Sequence, residues 1–202
     1  MNAHAKWNER FAKEGYAYGQ SENDFLRESA HLLPMGKILS IGEGEGRNAV
    51  YLAKLGYDVT AIDYSEVGLA KANNLAKENR TKIQTILADL TTYNLEKDYW
   101  QGIVSIYFHV HKGERSKIHS KCVEALVSGG VFILESYSIN QLSYDTGGPK
   151  NSDLLLDLDE VLRELDGLDI EIARVTEREV IEGNYHTGMG SVVQIIAKKK
   201  ID

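Results

Sequence analysis

The stretch ILSIGEGEGRNAVYLAKLGYDVTAIDYS, residues 38–65, decides the fold. Lys37–Ile41 is a short apolar run and reads as a strand. The turn Gly42-Glu43-Gly44-Glu45-Gly46 follows it. Asn48–Leu55 then carries Val50, Leu52, Ala53 and Leu55 on one helical side, and Gly56 is a suitable stop. Tyr57–Ile62 is a second strand, closed by Asp63. Strand, glycine turn, helix and strand make one parallel βαβ unit, which sets the architecture for the rest of the chain.

The pattern repeats outward from there. Ser65 is placed to cap a helix running to about Glu78, with Leu69, Ala72, Leu75 and Ala76 inward. Lys82–Ala88 reads as a third strand and Ile103–Val110 as a fourth. A helix from about Glu114 to Val127 is expected to end at Gly129-Gly130, before a fifth strand, Val131–Tyr137. Residues 138–151 read as a loop. A helix starting at Ser152 or Asp153 buries Leu155, Leu158, Val161, Leu162 and Leu165. Asp169–Val180 and Ser191–Lys199 have no helix between them, so they form a hairpin and the last strand runs antiparallel. The expected fold is a doubly wound, Rossmann-like α/β domain with a seven-stranded mixed sheet. It spans residues 1–202, with a partly helical segment over 1–31 ahead of a sheet core over 37–199.

Composition agrees. At 43% apolar and 26% charged residues, the chain can bury a sizeable core. A single cysteine, Cys122, excludes an internal disulfide and a four-cysteine zinc site, and it reads as a small buried residue. The net charge of −7 argues against nucleic acid as a partner. No apolar window is long enough for a membrane span, and the first ten residues lack the apolar core of a secretory signal. A cytoplasmic protein with no membrane partner is the expectation.

In an open parallel sheet, ligands sit beyond the carboxyl ends of the strands. The glycine turn occupies that place. A dinucleotide fingerprint would want a glycine where Arg47 stands, and two glutamates beside the middle glycine would repel a pyrophosphate. A phosphate-free cationic nucleoside, S-adenosylmethionine, suits this chemistry better. Asp63, 21 positions after Gly42, can accept both ribose hydroxyls, and Asp89 can hold an adenine amine. Of the titratable groups on that side, His109 and His186 are the candidates for a base or an orienting group at the methyl acceptor. His111 lacks a third partner at fixed spacing, so no metal site is expected. Glu135, Tyr137 and Tyr144 are further candidates for the substrate side, although Glu135 inside a strand reads equally well as a satisfied polar group.

Residues 38–65 resemble motif I and the following acidic motif of class I S-adenosylmethionine-dependent methyltransferases. More narrowly, they are similar to the tellurite-resistance and thiopurine methyltransferase-like group. WNERFAKEGYAYG, from Trp7, resembles the aromatic N-terminal lid of that group, and EGNYHTGMGSVVQIIAKK, from Glu182, resembles its final hairpin. The resemblance implies cofactor contacts at Gly42, Gly44, Gly46, Asp63, Tyr64, Asp89 and Leu90, with Trp7 and Phe11 over the methionine end. Many members carry an acid where Ser40 stands and a cysteine where Glu43 stands, which makes Glu43 the candidate for the ammonium group. The expected activity is methyl transfer to a small molecule. The rival readings are a nicotinamide-nucleotide oxidoreductase on a similar sheet and a non-catalytic S-adenosylmethionine or S-adenosylhomocysteine binder.

Overall fold

The computed structural model describes residues 3–144 and 146–201. Seven strands form one sheet: β1 (Lys37–Ile41), β2 (Asp58–Asp63), β3 (Gln84–Leu87), β4 (Trp100–Ile106), β5 (Leu126–Tyr137), β6 (Leu168–Glu182) and β7 (His186–Lys199). Their order is β3-β2-β1-β4-β5-β7-β6. Neighbours from β3 to β5 are parallel, and β7 is antiparallel to both β5 and β6. Strand order reverses between β1 and β4, so the chain leaves those two strands in opposite directions and opens a crevice beyond them.

Among the described residues six α-helices complete the fold: α1 (Ala3–Phe11), α2 (Asp24–Ser29), α3 (Arg47–Lys54), α4 (Glu66–Glu78), α5 (Lys112–Ala125) and α6 (Leu158–Glu164). Strand residues alternate between two cores. Ile38, Val104 and Ile133 face Leu26, Leu52 and Leu69. Leu39, Ile41, Ile103 and Phe132 face Ile118, Cys122 and Val161. This two-sided burial is what a parallel sheet requires. Cys122 lies inside the second core, where burial pushes its thiol up to about 12. None of the helices is long and apolar enough to cross a membrane among the described residues.

Several boundaries differ from the sequence reading, each for a local reason. β4 ends at Ile106 rather than Val110, because Tyr107 takes a left-handed φ of 51° that breaks the strand. β5 begins at Leu126, directly after α5, so Val127 is already strand. α6 starts at Leu158, where the Asp157 side chain accepts from Glu160 N at 3.0 Å; Ser152–Leu154 is only a 3₁₀ turn. The hairpin strands are longer than expected. Glu182 pairs with His186, and Gly183-Asn184-Tyr185 alone make the turn. Glycines 188 and 190 had hidden the start of β7.

A charged network lies under the crevice. Glu135 on β5 is fully buried and Glu182 on β6 is 5% exposed. Arg178 Nη2 donates to Glu135 at 2.8 Å and to Glu182 at 3.3 Å, while Arg47 Nη2 donates to Glu182 at 2.7 Å. Asn23 Nδ2 bridges both carboxylates at 2.7 and 2.8 Å, and Gln194 Nε2 donates to Glu135 at 2.5 Å. Glu135 is therefore a satisfied structural group, not a wall of the crevice. Removing one partner strands a buried charge. Arg178→Ala is expected to cost about 3–5 kcal/mol in urea unfolding, against about 0.5 kcal/mol or less for Ala at the exposed Glu179. Equal losses at the two positions would show that the network contributes no stability.

Candidate functional site

The glycine turn after β1 forms one wall of the crevice. Gly42 and Gly44 adopt φ of 60° and 63°, which a side chain would strain. A Cβ at Gly42 would lie 2.3 Å from the Phe108 ring, and one at Gly44 would lie 2.9 Å from Phe11. The two rings therefore seat directly on the turn. Gly46 does not line the crevice. A Cβ there would meet Ala72 of α4 at 2.6 Å, so this glycine allows α3 and α4 to approach.

The loop carboxylates serve the protein before they serve a ligand. One Glu43 oxygen accepts from Asn48 N and Ala49 N, each at 3.0 Å, and the other from Ser40 Oγ. Glu43 thus caps α3, which has no capping side chain at Gly46. Burial pushes its carboxyl above the ordinary range, and these hydrogen bonds oppose the shift. Glu43 therefore caps α3 while it also borders the inner cavity. Glu45 accepts from Ala17 N at 2.7 Å and pairs with Lys71 at 2.9 Å. Lys71 also donates to the carbonyls of Lys13 and Gly15, so this pair straps the N-terminal segment across the turn.

Asp63, at the end of β2, accepts from Gly44 N at 2.9 Å and from Ser65 N at 2.7 Å. It holds the turn against the start of α4. Burial raises its pKa, and these backbone hydrogen bonds oppose the rise. Ser65 caps α4 by accepting from Gly68 N at 3.1 Å. Asp89 is exposed and folds onto Thr91, while Leu90 is buried.

Two cavities share the crevice. The outer one holds about 620 Å³ and is bordered by Gly42, Asp63, Tyr64, Asp89 and Leu90 on one side. His109, His186 and the 147–149 loop border its other side. The inner one holds about 70 Å³ and reaches Gly44, Glu43, Phe11 and Tyr107. Trp7, Tyr18, Phe108, His109 and His186 line both. Trp7 stacks on Phe11 at 5.4 Å, and Arg10 donates to Tyr18 Oη at 2.6 Å. The outer volume falls within the range of small-molecule sites.

The histidines part company. His109 Nδ1 lies 3.3 Å from the Leu154 carbonyl, an obligate acceptor, so Nδ1 carries the proton and Nε2 presents a lone pair. Burial, with His186 nearby, lowers its pKa to about 3. His186 is 5% exposed, and its Nδ1 lies 3.5 Å from Glu182. Burial lowers its pKa as well, against the pull of Glu182. His111 is exposed, pairs with Asp153 and also borders the outer cavity. Tyr144 lines neither cavity.

Sequence reasoning missed Tyr18, Tyr107 and Phe108. A strand drawn to Val110 placed the last two inside the sheet; the aromatic pair just before His109 was the available signal.

Residues 4–143 match the family described as "Tellurite resistance protein TehB". The probable S-adenosyl-L-methionine-dependent methyltransferase TehB of Haemophilus influenzae is 33% identical over 88 residues, which is 44% of this chain and 31% of that protein. The chain thus matches about a third of the length of that relative. The crystal structure of TehB from Haemophilus influenzae superposes with a TM-score of 0.72 at 20% identity, covering 98% of this chain and 67% of that one. A structure described under conversion of a disulfide bond into a thioacetal group during echinomycin biosynthesis reaches 0.79 at 15% identity, covering 98% and 92%. At these identities both likenesses establish the fold alone.

The depressed histidine sets a pH dependence. The unfolded chain takes up a proton near 6.5, whereas the folded His109 resists until about 3. Its contribution to stability is complete above 6.5 and is lost as pH falls through that window. His109→Gln is expected to remove about one proton from the slope of urea-unfolding free energy against pH. A wild-type slope in that variant would mean that the ring titrates normally.

Proposed function

The chain belongs to the TehB family of class I S-adenosylmethionine-dependent methyltransferases, and from that premise we propose that it transfers a methyl group directly to a small-molecule acceptor. The observation that carries the reading is the continuous crevice joining the glycine turn and Asp63 to His109 and His186. The residues present fit the donor. The outer cavity has the volume for a nucleoside, and Asp63, Tyr64, Asp89 and Leu90 sit together at the ends of β2 and β3. Asp63 would take the ribose hydroxyls, Asp89 and Leu90 the adenine, and the backbone of Gly42 and Gly44 the amino-acid end. The inner cavity is too small for that end unless Phe11 and Trp7 shift outward with α1.

Bound S-adenosylmethionine supplies an already activated methyl group on a sulfonium. What remains for the protein is position and exclusion of water. Trp7 and Phe11 cover the turn. The strap tied by Glu45 and Lys71 holds that cover in register. Glu182, whose pKa is lowered to about 2 against burial by its hydrogen bond with His186 and by Arg47, is an acceptor only; it keeps the His186 proton on Nδ1. His109 is too weak a base to carry a proton at neutral pH, so its role is to orient the acceptor. An acceptor that arrives with a free lone pair suits this site best.

Calorimetry with S-adenosylhomocysteine tests the cofactor reading. Asp63→Ala is expected to weaken binding by about 1.5–3 kcal/mol, the scale of charged hydrogen bonds. Heat with NADH and none with S-adenosylhomocysteine would overturn the reading. Labelled methyl donor offered with thiols, halides, selenite, tellurite and small amines is expected to label at least one of them. Cofactor binding without any transfer would instead leave a binding protein.

A further inference from the structure

Arg10, in the last turn of α1, is a cation fixed in place without an acid. Its guanidinium lies 5.2 Å from the centre of the Trp7 ring and 4.6 Å from that of Tyr185, and Nη1 donates to Tyr18 Oη at 2.6 Å. The other arginines that are at least partly buried, Arg47, Arg115 and Arg178, each meet a carboxylate. Arg10 meets none among the described residues. A guanidinium carries five N–H donors in a planar fork. Stacking on aromatic rings uses its faces, and Tyr18 takes one donor, so most of the fork is left for an acceptor.

The place of this cation matters as much as its state. Arg10 borders the outer cavity and not the inner one, so it stands apart from the amino-acid end of the donor. Charges around the outer cavity are segregated. Asp63, Asp89 and Glu114 gather about Tyr64, on the side given above to the nucleoside. Arg10 stands on the other side: the Tyr18 ring that it bonds lies 4.4 Å from His186, and His186 bridges to Gly147. In a chain of net charge −7, a cation at that rim is a local feature and not part of a generally basic surface.

We propose that Arg10 anchors a carboxylate carried by the methyl acceptor, at the rim of the outer cavity, while the acceptor's nucleophilic atom lies inward toward His109 and His186. The proposal rests on the methyltransferase reading and deepens it, because it names small carboxylic acids as the acceptor class. The guanidinium fork matches the two oxygens of a carboxylate. Two rings and a hydroxyl already hold the side chain, and two of these, Tyr18 and Tyr185, lie outside α1. Little conformational freedom is therefore left to lose on binding. One guanidinium balances a monoanion, whereas a phosphate dianion calls for further donors; Lys6, the other cation at this cavity, is exposed. A neutral acceptor would leave the Arg10 charge unanswered.

The test is binding of benzoate, benzamide and phenyl phosphate to the protein saturated with S-adenosylhomocysteine. Benzoate is expected to bind about tenfold tighter than its neutral isostere benzamide, the scale of a charge-assisted hydrogen bond, and tighter than phenyl phosphate. Arg10→Gln should erase the preference for benzoate and leave benzamide affinity within about twofold. Lys13→Gln should keep the preference, because Lys13 lies against Tyr185 but does not border the cavity. No binding of benzoate, equal binding of benzoate and benzamide, or a preference that survives Arg10→Gln would each overturn the proposal. So would its loss in Lys13→Gln, which would point to diffuse charge. Equal weakening of both probes by Arg10→Gln would overturn it too, leaving Arg10 a brace for α1. Tighter binding of phenyl phosphate would overturn the carboxylate assignment. Failure of S-adenosylhomocysteine itself to bind would strike the methyltransferase reading instead, a distinct outcome.

Discussion

Two carboxylates buried beneath a binding crevice have to be neutralised where they stand, and that constraint organises this protein. Glu135 and Glu182 lie beside Arg178 and Arg47, with Asn23 and Gln194 filling the remaining hydrogen-bonding positions. The two buried carboxylates meet two guanidiniums, and Arg178 also reaches the half-exposed Asp24 at 3.1 Å. The partners come from five places in the chain: the segment before α2, the first turn of α3, β5, β6 and β7. The network therefore joins the N-terminal segment, the glycine turn and the final hairpin at one point. Buried ion pairs contribute little net stability compared with apolar packing, but they penalise any arrangement that separates their members. Here the arrangement that keeps them together also points Glu182 at His186 and sets the first turn of α3 behind the glycine turn.

The same economy governs the turn itself. Three of its nearby carboxylates are committed to backbone amides: Glu43 to α3, Glu45 to Ala17, and Asp63 to Gly44 and Ser65. A glycine-rich turn has few side chains to hold it, so acids reaching back to amides supply the rigidity. Asp63 keeps a dual place, tying the turn while bordering both cavities. The ribose contact proposed for it rests on that position at the end of β2 rather than on a free charge.

The histidines show how burial redirects chemistry. A histidine at its ordinary pKa could move protons near neutrality. His109 and His186 are both shifted downward by burial, which disfavours the protonated form and leaves hydrogen bonding as the role proposed for them. Under the proposed methyl transfer, position and an aromatic enclosure are the means left for promoting a displacement at an activated carbon.

The alternation of strands and helices, the closing hairpin, the glycine turn, the Ser65 cap and the acids that follow β2 and β3 were legible in the sequence, because each depends on residues close together in the chain. The periods of strand and helix, the special backbone freedom of Gly42 and Gly44, and capping by a nearby side chain are local physics. Glu43, Gly46 and Glu135 were not legible in that way. Whether Glu43 faces a ligand or a helix end, whether Gly46 faces solvent or Ala72, and which guanidinium neutralises Glu135 depend on partners brought close only by packing. The break after Ile106, which takes Tyr107 and Phe108 out of the sheet and into the crevice, is of the same kind. An apolar aromatic run has no local reason to stop; a left-handed residue held by its packed surroundings stops it. Local periodicity thus determined the scaffold and the address of the site, whereas tertiary contacts decided which of its polar atoms are already paired within the protein.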